Sequence, residues 1–330
     1  MRSIALIVLT ILCYVPAFGQ TAAPDQSLPD QTLKVRTELV NLDILAKHKQ
    51  TGRIISNLTE GNFTIFEDGV PQTISHFNQE RLPLSIVLLV DRAGCINAFN
   101  DQIRAATISV FGQIQPEDEI AIMTFSNKVT LAQAFTRDRQ LISDQINAIE
   151  LQHSSEQHYF NAGIYEAANY MSKAANPAGR RAIIVLTSLE ASIDFSKTSE
   201  KEALHAVLES GAVVSGVLVK TLGGRIEQGI RGKPTSILRH IGLRAGSLKM
   251  FVEETGGELI NATPEQMKDA LTQLVNHIAV SYSLAFTPTN SARDGKRRKI
   301  RVQLSPDVEP REGKIVILTR RSYILPKEVN

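Results

Sequence analysis

The chain has 330 residues, 43% hydrophobic and 21% charged, enough apolar material for one large α/β domain with additions or for two domains. A formal net charge of +2 leaves no electrostatic case for a nucleic-acid binder, and the basic run Lys296-Arg-Arg-Lys299 reads as a solvated strand edge. Two cysteines, Cys13 and Cys95, leave no framework of disulfides, so stability must come from packing.

Met1-Arg-Ser3 is a short positive region, residues 4–15 are nearly all apolar, and Ala17-Phe-Gly19 supplies small residues. This is the form of a signal peptide over 1–19, cleaved near Gly19, and the apolar stretch is short of the ~20 residues that a membrane span needs. Leu12 stands before Cys13, where a lipoprotein box wants a small residue. Residues 20–32 are polar and Pro-containing and read as a disordered leader. Residues 33–80 then alternate in the manner of strands, and Asp68-Gly69 between alternating runs predicts a hairpin whose return strand spans 70–77.

From Leu84 strands and helices alternate. Ile86 to Val90 is an uninterrupted apolar run, the pattern of a strand buried on both faces, and it ends in Asp91. Helix periodicity follows over 96–113. Residues 120–125 and 129–135 read as an antiparallel pair beyond an acidic turn, Glu117-Asp-Glu119, which reads as a solvated loop. Helices are predicted over 141–149 and 160–174, a strand over 182–187, a helix over 199–209 closed by Gly211 and a strand over 212–219. Residues 221–236 are Gly-rich and basic and read as a loop. A helix over 248–255 ends at Gly256-Gly257, with Glu253-Glu254 on its exposed face. A short strand over 258–260 precedes a helix capped by Thr263 with Pro264 and Gln266, whose buried stripe is Met267, Leu271, Leu274 and Ile278. After Ser281 the β pattern returns at 282–286, 299–304 and 313–319. Neither β-rich end looks self-sufficient, so both are expected to combine.

The runs Ser85-Ile-Val-Leu-Leu-Val-Asp91, Asp118-Glu-Ile-Ala-Ile-Met-Thr-Phe-Ser126, Ala182-Ile-Ile-Val-Leu-Thr187 and Glu253-Glu-Thr-Gly-Gly257 resemble a von Willebrand factor A (VWA) domain. The flanks, through residues 58–69, 282–288 and 292–295, are similar to those of a bacterial, acidobacterial-type VWFA-related family. The resemblance implies a doubly wound, mostly parallel α/β sheet over 82–280, inserted in a small β-sandwich-like domain in which 281–326 pairs with 33–80.

It also implies a divalent-ion site of the type Asp-x-Ser-x-Ser, with a Thr from a second loop and an Asp after the fourth strand. Only Asp91 matches. Ala93 and Cys95 stand at the serine positions, His158 at or near the Thr position and Ser188 at the late Asp position. Mg²⁺ wants about six hard oxygen ligands, so neither it nor any other cofactor is expected, and Asp91 reads as a remnant or a cap of the following turn. A zinc-dependent enzyme using Asp91, Cys95 and His158 is the alternative from another class, because each of these can ligate Zn²⁺. The expected protein is exported, non-enzymatic and soluble or loosely tethered. It would bind a protein partner through 91–95, 157–161 and 188–192, or through the 221–236 loop. An adhesin retaining a weak divalent site, and a cell-envelope subunit contacting through its β-sandwich, are the other readings.

Overall fold

The computed structural model describes residues 39–92, 101–150, 158–189, 191–194, 196–220, 245–325 and 327. In chain order the strands are β1 (Val40–His48), β2 (Phe63–Glu67), β3 (Val70–Gln72), β4 (Ile74–Asn78), β5 (Leu84–Asp91), β6 (Glu119–Phe125), β7 (Val129–Thr136), β8 (Arg180–Thr187), β9 (Ala191–Ile193), β10 (Val213–Val219), β11 (Ala245–Ser247), β12 (Leu259–Ala262), β13 (Tyr282–Phe286), β14 (Arg297–Leu304), β15 (Ile315–Leu318) and β16 (Ser322–Ile324). The helices are α1 (Asp101–Phe111), α2 (Arg139–Asn147), α3 (Phe160–Tyr170), α4 (Glu200–Ser210), α5 (Leu248–Thr255), α6 (Met267–Ala279) and α7 (Val308–Glu312). None is long and apolar enough to cross a membrane.

The central sheet has the order β12-β10-β8-β5-β6-β7, parallel except for β7, which turns back against β6. Every residue of β5 is buried, as its unbroken apolar run requires. Its side chains divide by the strand period of two. Leu84, Ile86, Leu88 and Val90 join a core with residues of α1, α2 and α6, whereas Val87 and Leu89 join a second core with residues of α3, α4 and α5. The stripe Met267, Leu271, Leu274 and Ile278 lies in the first of these cores. Chain order reverses at β5, which has β6 on one side and β8 on the other, so Asp91 is delivered to the switch point of the sheet.

Helix ends follow their local chemistry. Ser199 caps α4 in a capping box with Glu202, and Gly211 ends the helix at φ 72°, a left-handed position where glycine carries no Cβ penalty. Gly256 ends α5 at φ 77°, and a Cβ there would meet the Thr319 backbone at 2.2 Å.

The two ends of the chain interleave. β1 and β4 pair with β13 and β15 in one four-stranded sheet, and β2 and β3 with β14 and β16 in another. Residues of both sheets form one core that includes Leu42, Ile65, Leu284 and Ile300. The Asp68-Gly69 hairpin forms with both residues at positive φ, but the return strand is divided. β3 stays with β2, and from Ile74 the chain crosses to the other sheet as β4, pairing with β13. Three further expectations are corrected. β14 lies between β16 and β2 rather than at an edge, and Arg298, 3% exposed, pairs with buried Glu67. Period two places it on the inner face with Ile300. Glu117-Asp-Glu119 is not a solvated loop either, because Asp118 and Glu119 are buried. Asp118 accepts from the Leu84 and Gln115 amides and from Arg81, and Glu119 accepts from the Ser85 hydroxyl and the Ala175 and Asn176 amides. On α5, Glu253 is exposed as expected, whereas Glu254 is half-buried and pairs with Arg297. β9, β11, α7 and β16 carry too few residues to show a period and were not expected.

One cluster ties the central sheet to the flanks. Glu258, 8% exposed, accepts from Lys47 of β1 and bonds to His277 of α6. Burial pushes the Glu258 carboxyl up, but hydrogen bonds from His277 and Lys47 and their charges outweigh it and hold the group below the ordinary carboxylate range. A depressed carboxyl stabilises the fold fully above its unfolded-state value and loses that contribution as pH falls through the folded-state value. Urea titrations of the protein and of Glu258→Gln should therefore differ most near neutral pH, with the gap narrowing from about pH 5 downward. A gap independent of pH would contradict this coupling.

Candidate functional site

Asp91 is the last residue of β5, and its carboxylate is 1% exposed at the C-terminal end of the sheet. The neighbouring strand β8 ends in Thr187, whose hydroxyl donates to Asp91 Oδ2 at 2.7 Å. From the segment entering α3 comes His158, 3% exposed, with Nδ1 3.0 and 3.2 Å from the two Asp91 oxygens. An ionised carboxylate only accepts, so this contact fixes Nδ1 as the protonated ring nitrogen. The His158 segment is itself anchored, since the Tyr159 amide donates to the Ser126 carbonyl beyond β6 at 2.7 Å. The Arg92 amide donates to Phe125 O at 2.7 Å and ties the residue after Asp91 to β6.

Of the expected site residues, Asp91 and His158 are thus brought together. Ser188 follows Thr187 and is 2% exposed. Ala93 and Cys95 lie outside the described residues, as do residues 1–38 with the signal and leader expectations, Gln157 and the whole 221–236 loop. Any backbone cap that Asp91 provides to the turn after it also falls there. Among the described residues no group of three or more His, Cys, Asp or Glu side chains could hold a metal ion.

Two residues of the site escaped the sequence reading. In the sequence Thr187 reads only as the end of a strand, although the register that pairs Leu186 with Val90 sets it beside Asp91. Asp194, 2% exposed, accepts from the Asn161 amide at 2.5 Å and from the Ser196 amide at 2.8 Å. Tyr159 offers α3 no side-chain cap, so Asp194 supplies the carboxylate at that helix N-terminus from another segment. Only the short Asp-x-Ser spacing at 194–196 signals it, and that spacing marks an ordinary turn.

Residues 86–190 match the family model described as the von Willebrand factor type A domain. The chain contains a VWA domain. Among solved structures, proximal thread matrix protein 1 from the mussel byssus is 11% identical, with 61% of this chain and 49% of that one covered and a TM-score of 0.44. BatB from Bacteroides thetaiotaomicron is 15% identical over 59% of this chain and 98% of that one, with a TM-score of 0.43. The SpRpn10 VWA domain is 15% identical, covering 59% and 94%, with a TM-score of 0.38. This chain spans about half the length of the mussel protein. No curated protein matches the sequence.

Proposed function

We propose that this is an exported, non-enzymatic binding or scaffold protein whose VWA domain engages a protein partner through the C-terminal face of its sheet without a divalent ion. The observation that carries this reading is the engagement of the Asp91 carboxylate by His158 and Thr187. Mg²⁺ demands about six oxygen ligands in near-octahedral geometry. Here a ring N–H is directed at the carboxylate that would face the ion, and the adjacent Thr187 hydroxyl spends its hydrogen on the same group. This donor set does not fit Mg²⁺. His158 ties the segment entering α3 to the end of β5 through protein groups alone. A zinc ion held by both Asp91 and His158 would need both lone pairs turned to one point, whereas Nδ1 donates to the carboxylate itself and the imidazole lone pair lies on Nε2, at the far side of the ring.

The proposal is tested by photo-cross-linking the full chain in its native envelope. A photoreactive residue replaces exposed Asn127, beyond the end of β6, and as a control Val70, 53% exposed in the flanking hairpin. A discrete protein adduct is expected from Asn127 and unchanged by EDTA. Adducts only from Val70 would favour contact through the flanking sheets, and loss of the Asn127 adduct in EDTA would favour a divalent-dependent adhesin.

A further inference from the structure

We propose that the cavity between the flanking sheets and the end of the central sheet opposite Asp91 binds a small organic anion, a carboxylate or phosphate joined to an apolar body. Its volume is about 670 Å³, within the roughly 300–1,000 Å³ of small-molecule sites, which favour such seams. Three guanidinium groups line it: Arg180, Arg181 and Arg320.

Arg180 is largely satisfied, with four of its five N–H donors spent. It pairs with Asp43 at 3.1 Å and also donates to the Ala279 and Ser281 carbonyls and the Ser283 hydroxyl. The other two are not. Arg181 donates to the Ser210 carbonyl at 2.9 Å and Arg320 to the Gly211 carbonyl at 2.7 Å, and among the described residues neither makes another hydrogen bond or an ion pair. The carbonyl-rich C-terminus of α4 thus takes one bond from each of two cations, on successive carbonyls, and leaves most of their N–H donors unspent. Of the two lining carboxylates, Asp43 pairs with Arg180, and Glu209 lies at the exposed side, 3.3 Å from His205 Nδ1. Burial pushes the Arg320 guanidinium down from its ordinary value, and Asp43 offsets part of that. A guanidinium fork matches the oxygens of a carboxylate or a phosphate. The lining also includes apolar Leu39, Leu82 and Pro177, beside polar Asn41, His76 and Asn78.

Helix capping alone would explain one bond from each arginine, and it makes a different prediction. The test uses the full chain with octanoate, octyl phosphate and octanol, read by calorimetry and thermal melting. One or both anions should bind saturably and raise the melting temperature, and octanol should not; whichever anion binds more tightly identifies the headgroup. Arg320→Gln should weaken anion binding at least tenfold, with no more than the small fall in the free protein's melting temperature that the loss of one hydrogen bond brings. If that variant fails to fold, Leu39→Asp, at a position 51% exposed, places a carboxylate at the mouth and should weaken the anions equally. Failure of both anions to bind, octanol binding as tightly as they do, or folded variants that bind like the parent would overturn the proposal.

Discussion

Arg298→Ala is expected to cost about 3–5 kcal/mol of stability, because it strips one partner from a buried ion pair and leaves the other charge stranded. Arg298 and Glu67 are 4% and 3% exposed at the side chain. The guanidinium also donates to the Asn290 and Ala292 carbonyls, and the Tyr323 hydroxyl donates to Glu67. The pair joins β2 to β14, strands from opposite ends of the chain that the VWA domain separates. Tyr323 reports on the same network. Burial and the bond to Glu67 push its phenol well above its ordinary value, against the opposing pull of Arg298. Urea unfolding of three variants settles the point. Both single variants, Arg298→Met and Glu67→Leu, should lose several kcal/mol, and the double variant should recover part of that loss. A loss below about 1 kcal/mol for Arg298→Ala, as for a surface pair, would contradict the burial.

Asp118→Ala is expected to be nearly as costly, at about 3 kcal/mol. The carboxylate takes the Leu84 amide at 2.9 Å and the Gln115 amide at 3.0 Å, and each would be orphaned at about 1–3 kcal/mol. Arg81 would lose its ion-pair partner as well, a smaller effect because its side chain is 33% exposed. Asp118→Asn keeps an accepting oxygen and should lose about half as much. The residue latches the start of β5 to the turn before β6, so urea unfolding should show a lower midpoint with the same slope. An effect within about 0.5 kcal/mol would mean that the turn is solvated after all.

These two positions also mark where sequence patterning stops being informative. The strand at β5, the capping boxes and the α6 stripe follow from period and local chemistry, so they are legible from a few neighbouring residues. Arg298 was legible in principle, since it alternates onto the face of Ile300, but its charge argued for solvent more strongly than its period argued for burial. The partners of Asp118 and Glu119 include Leu84, Arg81, Ala175 and Asn176, brought together only by the sheet. No local pattern encodes that. In the site, the position of Asp91 followed from an apolar run ending in a carboxylate. Motif spacing could place His158 near the site but not in contact with Asp91, and the role of Thr187 depends on the β5–β8 register.

The most direct measurement of the central claim is thermal melting of the full chain with increasing Mg²⁺, Mn²⁺ and Zn²⁺, beside Asp91→Ala and His158→Ala. A native-state site raises the melting temperature as its ligand concentration rises, by about 2.7 kcal/mol of stability at a hundred times the dissociation constant. With Asp91 held by His158 and Thr187, the unsubstituted protein should show no saturable shift with any of the three ions, and both variants should melt lower whether or not ions are present. A saturable rise in the unsubstituted protein that Asp91→Ala abolishes would show that the carboxylate still serves a metal, and the account of this face as ion-free would be wrong.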